Sequence, residues 1–596
     1  MAAKLPTATS ALALQGADTA PVGGSGDLTG RPGSKQALAR LTEAMAELKA
    51  MSARPLLERA VTALNTEDYQ AGTDWALKGL EKDERNGFGW YLLAMAREGL
   101  GDYPTALKAY ETALQLIPEQ VEIANDLGRL AHRMGMHAQA EKLFRHFLAR
   151  HPNSPDCANN LACVLRDEHR YEEAIELLRP AIVANPETAA LWNTMGTIVT
   201  EQGDPRNAEI FYNEAIRLNP DFGRAIYNLG CALTFMERTD EALARIDRAL
   251  QLVRSEEDRQ LMTMARSTAL IIGGRLGEGW DAYEARLHPA YASAMSFQVE
   301  APRWSPDDDL AGKSLLVVAE QGLGDEILFA NVLPDVLEAL GPEGRLTVAV
   351  EPRLVPYFQR SFPQASVGPH AVYQAARSKV WTLPFVDDFS QFDRWAPMAS
   401  LMRRFRRSLA DFPSRPGYMT PDPERVAYWR GVLDEQAPPG ARVGLLWKSA
   451  IKDGARHRFF SPFAQWAPVL SAEGACFVNL QYGDCSAELA QARRDLGVTI
   501  WNPPGIDLKQ DLDDVAALCA AMDLVIGFSN ATFNIAAAAG TPAWLISTPG
   551  AWPRLGTARY PWYPQARTFT MPAFGDWTPI METVGDAARA WIAERA

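Results

Sequence analysis

A glycine turn carrying three acidic residues lies in the second half of the chain. A short apolar run there ends in the letters EQGLGDE, which contain Glu320, Asp325 and Glu326. A carboxylate at the end of a buried strand can act as a general base toward a bound hydroxyl. Gly322 and Gly324 permit positive φ and leave space for a substrate. An aspartate before a helical run is also a common helix cap, and a lone GxG is weak. On these residues alone, the capping role is favoured.

A second polar turn follows a later apolar run, in the letters SNATFN. Ser529 ends a predicted strand and Asn530 to Thr532 begin a predicted helix, so backbone N–H groups should point into any neighbouring cleft. Hydroxyl and amide groups there suit a phosphate, a ribose or a sugar carboxylate. Asn534 and, one strand earlier, Gln481 are candidates for the same pocket. A routine N-cap explains Ser or Asn at this place equally well.

Cations cluster after another predicted strand. Lys448 follows that strand, and Lys452, Arg456, His457 and Arg458 crowd the next loop. Positive charge above a sheet can neutralise a nucleotide phosphate without a metal, and Lys448 and Arg458 are the first candidates. A solvated surface loop is an equally good interpretation.

Composition excludes several classes of function. The formal net charge of −14 argues against nucleic acid as the main partner. The 6 cysteines show no CxxC and no pairing with His at metal spacing, so the sequence predicts neither a metal site nor a disulfide framework. A reduced, cytoplasmic location fits, and no signal peptide or membrane span is predicted.

The elements that position these residues begin with a repeat. Prolines and alanines recur every 34 residues, the period of tetratricopeptide (TPR) repeats, which stack into protein-binding solenoids. The prolines are Pro118, Pro152, Pro186 and Pro220, and the alanines are Ala106, Ala140, Ala174, Ala208 and Ala242. The predicted layout is a disordered arm at 1–35, an α-helical TPR solenoid at 36–290, a linker at 291–312, and two α/β domains at 313–420 and 421–596.

Asparagines occupy the fifth position of the first helix in three successive repeats. They are Asn125, Asn159 and Asn193. An amide can both donate to and accept from a peptide backbone, so such a row is suited to gripping an extended protein segment. Asparagine is also common near this position in TPR sequences, and that purely structural interpretation is slightly favoured.

The region after 301 changes from helical periodicity to short apolar runs that alternate with helices, which indicates parallel sheets. Strands are predicted at 314–319 and 346–350 and then in the runs VGLLW, CFVNLQ, VTIW, DLVIGF and PAWLIS. A helix is predicted from 327 to 340 and another from 580 to 595. Ligands of such folds bind at the carboxyl ends of the strands.

Residues 280–579 resemble a bacterial family that joins TPR repeats to a GT-B glycosyltransferase domain similar to the lipopolysaccharide heptosyltransferases. The matching phrases are GEGWDAYEARL, AEQGLGDEILFANVLP, FVNLQYG, DLVIGFSNATFNIAAAAGTPAW and WYP. Within that family the chain is most similar to the flagellin glycosyltransferases, which are thought to attach nonulosonic acids such as pseudaminic acid to Ser or Thr. The resemblance implies a GT-B pair of Rossmann-like domains. It also shifts the preferred role of Asp325 from cap to catalytic base, with Glu320 and Glu326 as alternatives.

One departure bears on the donor. Heptosyltransferase-like sequences carry an Asp-Thr pair and a His in the late turn, where this chain has Ser529, Asn530 and Asn534. The resemblance then implies either a changed donor pocket or a lost one.

The resemblance therefore implies a protein O-glycosyltransferase without metal or cofactor, which takes flagellin in its TPR groove and a CMP-activated sugar as donor. The alternative is a TPR adaptor or flagellin chaperone with a degenerate, non-catalytic GT-B domain.

Overall fold

The computed structural model describes residues 33–375, 378–449 and 458–595. Most of the predicted disordered arm, and Lys452, Arg456 and His457 of the cation cluster, lie outside the described residues. The chain divides into two compact units, Met1–Thr194 and Met195–Ala596. Among the described residues, no helix is long and apolar enough to cross a bilayer.

The amino-terminal half is a series of antiparallel helix pairs, as the repeat predicts. Its helices are α1 Gly33–Asn65, α2 Tyr69–Lys82, α3 Gly87–Gly99, α4 Tyr103–Leu116, α5 Val121–Arg133, α6 His137–Leu148, α7 Pro155–Asp167, α8 Tyr171–Ala184, α9 Ala189–Glu201, α10 Pro205–Leu218, α11 Gly223–Phe235, α12 Thr239–Leu252, α13 Glu256–Ile272 and α14 Leu276–Tyr283. The four periodic prolines each follow the second helix of a pair, where a proline cannot continue the helix.

Small and large residues alternate because paired helices approach closely. A Cβ at Gly128 would lie 2.8 Å from the ring of Phe144 on the partner helix, which is too near for a real side chain. In the second unit, Gly196 and Tyr212 repeat this arrangement at 2.7 Å. The glycines therefore permit the close packing that the aromatic residues complete.

The carboxyl-terminal region contains two parallel sheets. The first has the strand order β4-β3-β2-β7 and the second β12-β11-β10-β8-β9. A small mixed sheet, β1-β6-β5, was not predicted. The strands are β1 Met295–Phe297, β2 Ser314–Val318, β3 Arg345–Val350, β4 Ala365–Pro369, β5 Ala371–Ala375, β6 Ser378–Thr382, β7 Arg394–Pro397, β8 Ala441–Leu446, β9 Ala475–Asn479, β10 Leu524–Gly527, β11 Ala543–Ser547 and β12 Ala566–Thr570.

Helices separate these strands and cover the sheets, so α/β architecture with parallel sheets is confirmed. The helices are α15 Leu323–Phe329, α16 Leu333–Leu340, α17 Val355–Ser361, α18 Met402–Phe405, α19 Pro423–Gln436, α20 Ala467–Leu470, α21 Ser486–Leu496, α22 Leu512–Ala520, α23 Ala531–Ala538 and α24 Thr578–Ala593. The finer GT-B assignment stays a prediction.

Two element predictions are wrong. The run VTIW forms only an isolated bridge between Val478 and Trp501, and the fifth strand of the second sheet is β12 instead. The helix predicted from 327 to 340 begins earlier and divides into α15 and α16, with Pro334 in the first turn of α16. Proline fits a first helical turn, where its missing N–H is not needed, so it marks a helix start here.

The segment GEGWDAYEARL, residues 277–287, packs against the α/β region of the second unit. Trp280 is buried, and its indole N–H donates to the Arg406 carbonyl at 2.9 Å. Its ring lies edge-on to Phe329, Trp552 and Trp562, with centroids 6.3 to 6.4 Å apart. This aromatic cluster packs α14 against the end of α15 and the segment between β11 and β12.

Candidate functional site

The loop after β2 and the loop after β10 meet through their helices. Asp325 lies in the first turn of α15, which begins directly after the extended residue Gly322. Helix α15 contacts α23, and a Cβ at Gly324 would lie 3.4 Å from the Ala531 backbone nitrogen. Two helix amino-termini therefore come together here, each with unsatisfied N–H groups and a partial positive charge.

The predicted role of the glycine turn needs correction. Gly322 has φ −139°, and Gly324 is helical, so neither uses the left-handed region. Gln321 is the residue with positive φ, at 73°. Such a conformation is uncommon for a residue with a Cβ, and it clusters at functional turns. Gly324 instead allows α15 and α23 to approach closely. A Cβ built at Gly324 would lie only 3.1 Å from Asn534 Nδ2, so a side chain there would press on Asn534.

Glu320 is not placed to act as a catalytic base. It is 1% exposed, and its two carboxylate oxygens accept from the Arg286 guanidinium at 2.7 and 3.0 Å. The backbone N–H of Ala399 also donates to it, at 2.9 Å. A buried ion pair with this many hydrogen bonds holds the loop in position.

Glu326, the other alternative, is also buried. It contacts His370 Nε2 at 2.9 Å and accepts from the Glu351 N–H at 2.9 Å. Burial raises the pKa of Glu326, although the neighbouring His370 opposes that shift. Of the three acidic residues of the turn, Asp325 is the one that is only half-buried.

The loop after β10 presents Ser529 and Asn530. Ser529 is exposed, and its hydroxyl lies 3.2 Å from the Tyr560 hydroxyl. Asn530 caps α23, with its Oδ1 accepting from the Phe533 N–H at 2.9 Å. The capping interpretation is therefore confirmed for Asn530. Its Nδ2 is shielded from solvent and has no hydrogen-bond partner among the described residues, so both N–H donors of this amide remain for a ligand.

Thr532 and Asn534 lie deeper than the sequence suggests. Thr532 is 1% exposed and Asn534 is 4% exposed. Asn534 donates to the Asn530 carbonyl at 3.1 Å and accepts from the Tyr563 hydroxyl at 3.0 Å. Both side chains are therefore buried, and the amide of Asn534 is already bound to protein groups; their assignment to the donor stays a prediction.

Two tyrosines complete the site and were not among the predicted residues. Burial is the main cause that raises the pKa of Tyr560 and of Tyr283, and the negative charge of Asp325 raises both further. Both phenols therefore stay protonated and can donate a hydrogen bond. Tyr283 also accepts from Gln321 Nε2 at 3.2 Å. The motif GEGWDAYEARL contains Tyr283 and WYP follows Tyr560 closely, so sequence signals existed for both.

The predicted cations and Gln481 are engaged in other contacts. Lys448 pairs with Glu488 and donates to the Asp484 carbonyl at 2.8 Å. Arg458 donates to the Thr200 carbonyl at 2.8 Å and stacks over Phe235 and Phe459, at 4.9 and 5.0 Å from the ring centroids.

Gln481 is buried, and its Oε1 accepts from the backbone N–H groups of Trp447 and Lys448 at 3.0 and 2.9 Å. Lys448, Arg458 and Gln481 are thus each bound to other protein groups. Through these contacts they order the loops after β8 and β9.

The asparagine row lies in the first unit, and its members differ. All three side chains are half-buried. Asn159 Oδ1 accepts from the Thr194 hydroxyl at 2.6 Å. Asn125 Oδ1 is shielded from solvent and has no partner among the described residues. Asn193 also takes part in a polar contact. The Asn125 carbonyl is the member best suited to receive a backbone N–H.

Comparison with known proteins agrees with the repeats. Patterns of the tetratricopeptide repeat match residues 99–162, 159–221 and 225–260. Among solved structures the chain is similar to MamA, at 24% identity over 27% of this chain and 94% of that chain, with a TM-score of 0.24. It is also similar to yeast Tom70, at 21% identity over 36% of this chain and 47% of that chain, with a TM-score of 0.31. TM-scores this low support no inference about the whole chain.

The repeats and the parallel sheets define the class, a tetratricopeptide-repeat protein with an α/β carboxyl-terminal region. Solenoids of this class offer extended surfaces to protein partners. Protein FlbA of Caulobacter vibrioides is 47% identical to the chain over 581 residues, which are 96% of this chain and 97% of that protein. The chain therefore belongs to the FlbA family.

Proposed function

We propose that this chain is a cytoplasmic protein O-glycosyltransferase. Its TPR groove takes flagellin, and its α/β region transfers a sugar from a nucleotide donor to Ser or Thr. The resemblance to flagellin glycosyltransferases supplies the acceptor and the donor class, a CMP-activated nonulosonic acid. The GT-B arrangement of the two parallel-sheet domains is part of this proposal.

The observation that carries the proposal is the setting of Asp325. This carboxylate lies in the first turn of α15, which contacts α23, and its charge acts on Tyr560, whose hydroxyl is 3.2 Å from that of the exposed Ser529. Asn530, which caps α23, has an Nδ2 without a hydrogen-bond partner among the described residues. A base beside anion-binding helix ends is the arrangement that transfer from a sugar phosphate needs, because one partner loses a proton and the other leaves as an anion.

The proposed transfer breaks one bond for the bond that it forms. Asp325 accepts the proton of the acceptor hydroxyl, and the hydroxyl oxygen forms a bond to the anomeric carbon of the donor. The bond from that carbon to the phosphate oxygen breaks, and CMP leaves with the electron pair. The N–H groups of α23 and the Asn530 amide then stabilise the departing phosphate or the sugar carboxylate. The protonated phenol of Tyr560 can donate to the same ligand through the Ser529 hydroxyl.

A second candidate function is a flagellin adaptor or chaperone without transferase activity. The contacts of Lys448 and Arg458 favour it, because both cations are bound to protein groups that would compete with a phosphate.

The test uses the purified full-length chain, flagellin and a CMP-activated nonulosonic acid. We expect CMP release that depends on flagellin, together with a mass increase of flagellin by one or more sugar residues. Asp325→Asn should lower the rate by about 10² to 10⁴, the usual contribution of general-base catalysis, while flagellin binding stays unchanged. Asp387→Asn is the matched control, since Asp387 is exposed in the same region and should change neither quantity.

Each result separates the candidates. Flagellin binding without CMP release supports the adaptor, and full activity of Asp325→Asn removes this residue from the proposed role. A chain that neither binds flagellin nor releases CMP contradicts both functions.

A further inference from the structure

Two histidines and an aspartate from three successive helices come together in the first unit. His132 lies in the last turn of α5, His137 is the first residue of α6, and Asp167 is the last residue of α7. Their candidate ligand atoms all lie within 4.8 Å of one another. His132 Nε2 and Asp167 Oδ2 are 2.7 Å apart, and the two imidazole centroids are 5.5 Å apart.

The local backbone explains why the histidines meet. Helices α5 and α6 are joined by a short turn in which Gly135 has φ +75°, a left-handed conformation that glycine adopts without strain. The turn reverses the chain and brings His137 back beside His132. Asp167 comes from the next repeat, 35 residues after His132, so the cluster spans two successive repeats.

Two further observations favour a ligand at this cluster. His137 Nδ1 is shielded from solvent and has no hydrogen-bond partner among the described residues, which leaves a costly unsatisfied nitrogen. Arg166 donates to Asp167 Oδ1 at 2.6 and 2.9 Å, which orients the carboxylate and leaves Oδ2 directed at the histidines. Ligands held by such outer contacts are typical of metal sites.

We propose that His132, His137 and Asp167 form a binding site for one divalent transition-metal ion of the zinc class. Two imidazoles and one carboxylate are a donor set that such ions accept, and three protein ligands leave a fourth position open. Metal–ligand bonds of about 2.0–2.2 Å imply ligand atoms about 3.3 Å apart, so modest side-chain rotation completes the site. This metal site is independent of the proposed transferase function.

The metal would join two successive repeats. His132 lies seven residues after Asn125 on α5, about two turns along the same helix face. The bound ion would therefore restrain the surface that carries the asparagine row, and its open position would be available to a donor atom of a bound polypeptide.

The test is a titration of the untagged full-length chain with ZnCl₂ and with CoCl₂ after removal of metal by a chelator. We expect one equivalent to bind, with a cobalt spectrum of nitrogen and oxygen ligation that lacks sulfur-to-cobalt charge transfer. His137→Gln and Asp167→Asn should each weaken zinc binding at least about tenfold. His146→Gln is the matched control, because His146 is exposed on the same helix and outside the cluster, and it should bind like the wild type.

Thermal unfolding provides a second readout and reports whether the variants fold. Zinc should raise the melting temperature of the wild type and of His146→Gln, because a ligand that binds the folded state stabilises it. In folded His137→Gln or Asp167→Asn, the rise should be smaller. Equal zinc affinity in the cluster variants, or a cobalt spectrum dominated by thiolate, would overturn the proposal.

Discussion

Asn125 in the first unit and Asn534 in the second have the same side chain in opposite environments. Asn534 is buried beneath a turn, and each end of its amide has a hydrogen-bond partner. Asn125 is half-buried on a helix of the repeat, and its side-chain oxygen Oδ1 is shielded from solvent and has no hydrogen-bond partner in the described part of the chain. The difference teaches that the same amide can be fully hydrogen-bonded beneath a loop of the α/β region and left without a partner for its oxygen, among the described residues, on a helix of the repeat region.

The ion pairs of arginine also differ between the two regions, in how deeply they are buried. Arg286 is 1% exposed and is held by Glu320, Glu284 and Ser400. Arg170, in the repeat region, pairs with Glu141 and two other glutamates with its side chain 33% exposed. Removing one partner of a buried pair leaves an uncompensated charge, whereas water replaces the partner of an exposed one.

The largest expected effect is that of Arg286→Met. Glu320 would lose its counter-charge while staying buried, so we expect a loss of about 3–5 kcal/mol in the unfolding free energy of the second unit. Urea unfolding followed by tryptophan fluorescence measures it.

The double variant with Glu320→Gln should recover part of that loss, because the uncompensated charge is then gone. A change below about 1 kcal/mol in Arg286→Met, the size found for exposed pairs, would remove the contrast between the two regions.

A smaller effect is expected when each asparagine is replaced by leucine. Asn534→Leu should cost roughly 1–3 kcal/mol, because the Tyr563 hydroxyl would lose its acceptor in a buried place. Asn125→Leu should change the unfolding free energy by less than about 0.5 kcal/mol, since it removes an acceptor that binds none of the residues that the structure describes. Denaturant midpoints of the two variants measure both values. Equal costs at the two positions would contradict the comparison.

Asn125→Leu sharpens the comparison further through binding. If the row grips the acceptor, this variant should weaken flagellin binding although it leaves stability unchanged. Unaltered affinity would count against the acceptor role of the row.

The smallest effect concerns the pH dependence of Glu284. Burial opposes its ionisation, but the charges of Arg286 and Arg303 and a hydrogen bond from Ser400 outweigh burial and lower the pKa of Glu284 below the ordinary 4.5. A lowered folded-state pKa means that the ionised form stabilises the fold above the unfolded pKa, and that this contribution is lost as the pH falls through the folded pKa.

The unfolding free energies of the wild type and Glu284→Gln should therefore differ most at pH 7 and converge as the pH falls below about 4.5. Urea titrations at several pH values measure the difference. A difference that stays constant down to pH 3 would show that the charge of Glu284 is not its source.

Much of the architecture could be predicted from the sequence, because its signals are local. The 34-residue period placed the helix pairs, and apolar runs placed most strands of the two parallel sheets. The strand predicted for the run VTIW is wrong because its four apolar and β-branched residues do not show whether a neighbouring strand is available to pair with it. The strand β12 was missed because its apolar content is low.

The candidate site was predicted less completely. Asp325, Ser529 and Asn530 stay candidates, and they could be proposed because a polar residue after a strand is visible in the sequence. Burial could not be read there, so Glu320, Gln481, Thr532 and Asn534 were assigned to ligand contact, although the structure gives each a place inside the protein. Lys448 and Arg458 were assigned from their charge and their place after a predicted strand, and their partners lie far away along the chain.

The sequence by itself determined that this chain repeats a helix pair and then alternates strands with helices. Periodicity suffices for that, because each repeat packs mainly on its neighbours and each strand is recognised by its own residues. Only the tertiary structure decided which polar side chains are buried supports and which remain for a ligand. Long-range approach makes that choice, as where the loops after β2 and β10 meet around Asp325, and where three helices bring His132, His137 and Asp167 together.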